Sequence, residues 1–245
     1  MSYAGETGKN TAYNPDNVNP VIEYTELEFK IVKASGFLSL AQQVKYTAQR
    51  LIALSSENPA RVESSSAVTP VMINHAQHFA IAKRLAKSWS TEVWQQRLLA
   101  LVHTIPFETQ VALQQQLSKP LWQKVQEKEQ AAIALQHSPE YSLYMEKLRQ
   151  RPPAASRWQL VESLDKQSGF SAMIILARAA AIKAIGQQVK GWQPSEFWQN
   201  QARQEVLEFL FYAYRKTPNA ELKHIASSFN QAEIKTLFTT VSNGI

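Results

Sequence analysis

The residues able to do chemistry in this chain are few. There are five histidines, no cysteine and only two aspartates, Asp16 and Asp165. Without cysteine there is no thiol nucleophile, disulfide framework or thiolate metal site. His75 and His78 sit three apart on an expected helix, so both can face one way, but a zinc site needs a third ligand. Glu63, the nearest acid in sequence, falls in a linker, and surface histidines are the plainer reading. Glu140 with Glu146, and Glu205 with Glu208, have spacings that could pair two carboxylates. Beside Lys and Arg on a helix, such residues are ordinarily a solvated face. Asp165 precedes a Gly-containing turn and suits local backbone capping better than catalysis. The chain has no Gly-rich phosphate loop, no His-Glu-x-x-His and no Gly-x-Ser-x-Gly elbow. No catalytic, cofactor-binding or metal residue is assigned. A hydrolase using an unrecognised Glu/His site stays as an alternative.

Six tryptophans are the most unusual feature. Trp89, Trp94, Trp192 and Trp198 flank expected helix starts in two parts of the chain. A tryptophan buries a large area, so filling the joint between helices is the default use. The functional alternative is a candidate groove for a peptide, a lipid chain or a partner helix. Arg97, Arg203 and Arg215 would then hold an anionic end such as a carboxylate.

The elements that would position these residues read as helices throughout. Apolar residues recur at helical spacing, as in Phe37, Leu40, Val44, Ala48, Leu51 and Ile52. With only 7 glycines in 245 residues, a turn-rich sandwich or barrel is disfavoured. The expected fold is all-α, with about ten helices. Residues 1–20 read as a flexible arm and Ser55–Pro70 as a linker. Thr69-Pro70 is expected to open a helix carrying Met72, Ala76, Phe79 and Ala86. Gln193-Pro194 is expected to open a long helix running through Arg215, after a short loop bracketed by Gly186 and Gly191. Thr217-Pro218 reads as another helix start, and Asn230 with Glu233 as a capping box. Arg149–Ser156, with Pro152-Pro153, marks a boundary.

Two stretches, "KASGF" from Lys33 and "KQSGF" from Lys166, suggest a duplication. Aligning Gly36 with Gly169 sets Leu27 on Leu160, Ile31 on Leu164, Leu40 on Met173, Val44 on Ala177, Ala48 on Ala181 and Ile52 on Ile185. Aligning Pro106 with Pro218 sets Leu113 on Ile225, Leu117 on Phe229, Trp122 on Ile234 and Val125 on Leu237. The expected organisation is two tandem, related helical units, residues 21–150 and 151–245, around a shared or adjoining core. The first carries an inserted linker and helix near residues 55–88.

Two stretches of the second unit, "RWQLVESLDKQSGFSAMIILARAAAIKAI" and "EVLEFLFYAYRKTPNAELKHIASSFNQAEIKTLF", have a recognisable order. Leu160 to Phe170 gives a Leu-patterned helix and Gly junction, and Tyr212 to Arg215 a Tyr/Arg turn. Ala220-Glu221-Leu222 opens a helix, and Phe229 to Ala232 turns into the last one. This order resembles the bacterial domain-of-unknown-function 2059 family, with Asn230-Gln231-Ala232 replacing the usual Ser-Pro turn. The resemblance implies an all-helical, usually exported protein and carries over no catalytic residue.

The net charge of +6 favours anionic partners. The basic residues are scattered, with no stripe to track a phosphate backbone, which argues against nucleic acid. No apolar run reaches the roughly 18 residues of a membrane-spanning helix, and Phe170–Ile185, interrupted by Arg178 and Lys183, reads as a buried helix. The N-terminal stretch has no signal-peptide core. The expectation is a periplasmic protein if the chain is a mature form, and otherwise a cytoplasmic one. The functional expectation is a non-enzymatic helical binding or interaction protein of the bacterial cell envelope, taking a protein, peptide or lipid ligand. An anionic-ligand or nucleic-acid binder is the further alternative.

Overall fold

Short polar caps set where the helices begin. Thr25 accepts from the Glu28 N–H while the Glu28 carboxylate accepts from the Thr25 N–H, closing a capping box on α1 (Glu26–Ala34). Asn74 and Gln77 do the same for α3 (His75–Trp89). These pairs satisfy amides that have no partner inside the helix. Ser90 caps α4 (Thr91–His103), and Ser138 caps α7 (Pro139–Gln150) with proline at its first position. The computed structural model describes residues 23–57, 73–136 and 138–245. Its remaining helices are α2 (Ser39–Glu57), α5 (Phe107–Leu117), α6 (Pro120–Leu135), α8 (Ala155–Ser168), α9 (Phe170–Gln188), α10 (Trp198–Ala213), α11 (Asn219–Ser228) and α12 (Ala232–Gly244).

The all-α expectation holds, with twelve helices rather than about ten and no strand among the described residues. Several boundaries differ from the sequence expectations. Helix α9 runs through Gly186 to Gln188, because a glycine inside a long, packed helix is tolerated. The long helix after it starts at Trp198, not at Pro194, and ends at Ala213, before Arg215. Pro218 is the residue before α11 rather than its first turn. Asn230 does not cap α12; Gln231 takes that place without a side-chain bond, and the Asn230 amide donates to Gln167 instead. Phe79 is 66% exposed, while Ile81, Leu85 and Trp89 form the buried face of α3. The expected arm at residues 1–20, most of the 55–70 linker and the Thr69-Pro70 start lie outside the described residues.

The buried hydrophobic residues form a continuous core drawn from both halves of the chain. Helix α2 packs on α9, α1 on α4 and α5, and α8 on α10 and α11. Two helices cross between the halves: α6 packs on α10, while α12 packs on α4 and α5. Helix α9 is the one helix among the described residues long and apolar enough to cross a membrane by length and composition. It is also packed against α2, α3, α8, α10 and α12, as expected of a core helix.

The two Ser-Gly-Phe stretches form the same junction. Gly36 has φ of 79° and Gly169 φ of 65°, the left-handed region that glycine enters without a Cβ penalty. Ser35 Oγ donates to the carbonyl of Val32 and accepts from the Phe37 N–H; Ser168 Oγ donates to that of Asp165 and accepts from the Phe170 N–H. One hydroxyl thus satisfies a carbonyl ending one helix and an amide entering the next. Pro106 and Pro218 each sit immediately before a helix, α5 and α11 respectively.

Candidate functional site

The residues of the two junctions meet in one place. Phe37 and Phe170 both line a cavity of ≈ 440 Å³. Its apolar wall includes Leu40 from α2, Trp122 and Val125 from α6, Met145 from α7, Met173 and Ile174 from α9, and Phe209 from α10. Phe229 and Phe238 complete it. The rings pack edge to face, Phe37 on Phe238 at 4.8 Å and Trp122 on Phe229 at 4.8 Å between centroids. Phe170 stacks on Phe209 at 5.8 Å. These contacts hold the wall in a fixed shape.

A charged cluster stands on the same lining. Glu205 accepts from Arg50 of α2 through one oxygen and from Arg178 of α9 through the other. Glu208, one turn on, is held bidentately by Arg149 of α7 at 3.1 and 2.8 Å. Glu208 is only 8% exposed, and the fork of the guanidinium compensates its lost hydration. Tyr141 lies beside these groups; burial, then the charges of Glu208 and Glu205, push its hydroxyl up to about 12. The expectation of a solvated face at Glu205 and Glu208 is therefore corrected. Both carboxylates are consumed by arginines from other helices.

Glu129 of α6 is the third carboxylate on the lining. It accepts from the hydroxyl of Tyr214, itself fully buried, at 2.8 Å. Desolvation raises its carboxyl from the ordinary 4.5 to about 7, and the bond from Tyr214 offsets only part of this.

The tryptophan and arginine residues marked in the sequence do not gather in this cavity. Trp94 is wholly buried and donates from its indole to the backbone oxygen of Phe37. Trp89 stacks on it at 5.0 Å, and Arg97 lies 5.9 Å above the Trp94 ring. Trp89 and Arg97 border a second, smaller cleft with Arg84, Leu176 and Lys183. Trp192 and Trp198 are half-buried and Arg203 is exposed; none of the three lines either cavity. Arg215 stacks on Tyr212 at 3.8 Å, donates to its carbonyl and pairs with Glu140, so it serves the end of α10. Arg157 does the same for the carbonyls of Tyr214 and Thr217.

The structure does bring one acid and one histidine together. Glu28, buried in its capping box, lies 2.7 Å from Nδ1 of His103. Neither residue lines either cavity. His75 and His78 are both exposed, and among the described residues no three His, Asp or Glu side chains are grouped to hold a metal ion. Asp165 accepts from the Ser171 N–H at 2.8 Å and so caps the first turn of α9.

Sequence reasoning missed Arg50, Glu129, and Tyr141 with Arg149, because they come from three separate helices, α2, α6 and α7. Arg178 carried the one usable signal. An arginine inside an otherwise apolar helix must find a carboxylate or a cavity.

No protein-family model matches the chain, and comparison with curated proteins and with solved structures gives no match.

Proposed function

We propose that this protein is a non-enzymatic binding protein that holds a small, largely apolar molecule between its two halves. One observation carries this reading: a cavity of ≈ 440 Å³ whose lining joins an aromatic and aliphatic wall to charged and polar side chains. That volume lies within the roughly 300–1,000 Å³ of ordinary small-molecule sites. The wall groups come from helices that are already packed, so little ordering entropy is lost on binding.

The proposal includes a duplicated origin for the two halves. It is supported by the matching Ser-Gly-Phe junctions, the paired prolines and the packing of α6 and α12 each onto the other half. The cavity then lies where the two copies meet, and each contributes the phenylalanine of its own junction.

The test is saturable binding of the neutral fluorophore N-phenylnaphthylamine. Gln126→Trp and Ile133→Trp put bulk onto the lining from positions on α6 that are not fully buried. Both are expected to weaken the probe by about ten-fold or more with the thermal unfolding transition retained. Absence of saturable binding to the unmodified chain, or full binding to both folded variants, overturns the reading.

A further inference from the structure

The charges on the cavity lining do not cancel, and their placement names a class of ligand. Arg50, Arg149 and Arg178 face Glu205 and Glu208, three guanidiniums against two carboxylates. Glu205 is shared by two arginines, whereas Glu208 is matched by one. Within this cluster the surplus is one positive charge; elsewhere on the lining Lys33 adds a cation and Glu129 a third carboxyl group, so the count of four cations to three acids keeps the same sign.

Exposure separates the two ends of the site. The Arg50 and Arg149 side chains are 50% and 66% exposed, so the cluster opens to water. Phe37, Phe209 and Phe229 are each at most 5% exposed and lie inside. A guanidinium retains donors beyond those already committed to one carboxylate, because it has five N–H groups. Arg149 uses its Nε and one Nη, and Arg50 a single Nη, on the glutamates.

Resting on the binding reading above, we propose that the ligand is an amphiphile with a single anionic head, a carboxylate of the fatty-acid type. The carboxylate sits at the solvent edge against Arg50, Arg149 and Arg178. The hydrocarbon chain runs inward among Phe37, Phe170 and Phe209. One negative charge balances the surplus, and the chain removes its apolar surface from water in the only way that leaves the head hydrated. A neutral molecule would leave the surplus charge uncompensated, and a cationic amphiphile would add to it.

The experiment is displacement of bound N-phenylnaphthylamine by decanoate, decanol and decylammonium at one ionic strength. Decanoate is expected to displace at a concentration about ten-fold below that of decanol, a difference of about 1.4 kcal/mol, with decylammonium weakest. Two variants should move the preference in opposite directions. Arg149→Gln, at an exposed position, should narrow the gap between acid and alcohol. Glu205→Gln removes the carboxylate that Arg50 and Arg178 share and should widen it. If the probe binds but acid and alcohol compete equally, or neither variant moves their ratio, the anionic head is wrong and the apolar-cavity reading stands. If the probe does not bind at all, the binding reading itself has failed.

Discussion

The indole of Trp94 donates to the backbone oxygen of Phe37 at 2.8 Å, across 57 positions of sequence and inside the core. This bond ties α4 to the junction between α1 and α2, and that junction puts the Phe37 ring against the cavity. Trp94→Phe keeps an aromatic ring but leaves the carbonyl without that donor, and it opens a void where the larger ring was. The carbonyl keeps the Leu40 N–H as a donor, so the loss is one net hydrogen bond, about 0.5–1.5 kcal/mol, and lost volume adds to it. The expected loss is about 1–3 kcal/mol, read as a lower urea midpoint at unchanged slope. A cost below about 0.5 kcal/mol would mean the bond contributes nothing net.

Gly169→Ala meets no steric obstacle, since a Cβ there would have nothing within 4 Å. The penalty is conformational: φ of 65° is costly for any residue with a Cβ, by roughly 1–2 kcal/mol. Gly36→Ala should cost the same, because its surroundings and its φ of 79° are alike. The double variant should lose about the sum of the two, since a Cβ at either position touches nothing through which the two could couple. Unequal costs would show that the two junctions are not energetically alike, whatever their geometry.

Much of this architecture could be read from sequence, and the site could not. Helical period and polar caps are local, so Ser90 and Ser138 cap the helices that follow them and Pro120 takes the first position of α6, each from a signal of one or two residues. The glycine junctions were legible because a left-handed residue leaves a chemical trace in one or two positions. The cavity has no such trace. Arg50, Glu129, Arg149, Arg178 and Glu205 come from five helices, and what makes them a cluster is tertiary packing. The tryptophans drew attention because they are large, yet size is also what makes tryptophan useful in a core. Trp94 is at 0% exposure and Trp89 at 5%.

Glu28 offers a separate test of buried charge. Its carboxylate closes the α1 capping box and meets His103 from the other side. Glu28→Ala removes both bonds and should cost about 2–4 kcal/mol. His103 is half exposed, so His103→Ala should cost less, about 1 kcal/mol, since the capping box survives. Chemical denaturation of the two variants gives the ordering, and the reverse order would show that the box depends on the imidazole.

The protonation of Glu129 should set a pH dependence for both stability and binding. Burial lifts its carboxyl from 4.5 to about 7, with the Tyr214 hydroxyl as its hydrogen-bond partner. Its folded value exceeds its unfolded one. Between those two values the folded chain therefore holds the proton more firmly than the unfolded chain, and stability falls as pH rises across that window. Above about 7 the loss from this group is complete. Glu129→Gln keeps the shape and removes the titration, so its melting temperature should change less between mildly acidic and mildly alkaline buffer than that of the parent. The other charged groups on the lining, Lys33, Arg50, Arg149, Arg178, Glu205 and Glu208, are retained in the variant and act as the internal control. Binding follows the same logic. An ionised Glu129 keeps water in the cavity and repels an anionic amphiphile, so decanoate affinity should decline as pH rises through about 7. That decline should vanish in Glu129→Gln. A decline that persists in the variant would assign the titration to another group.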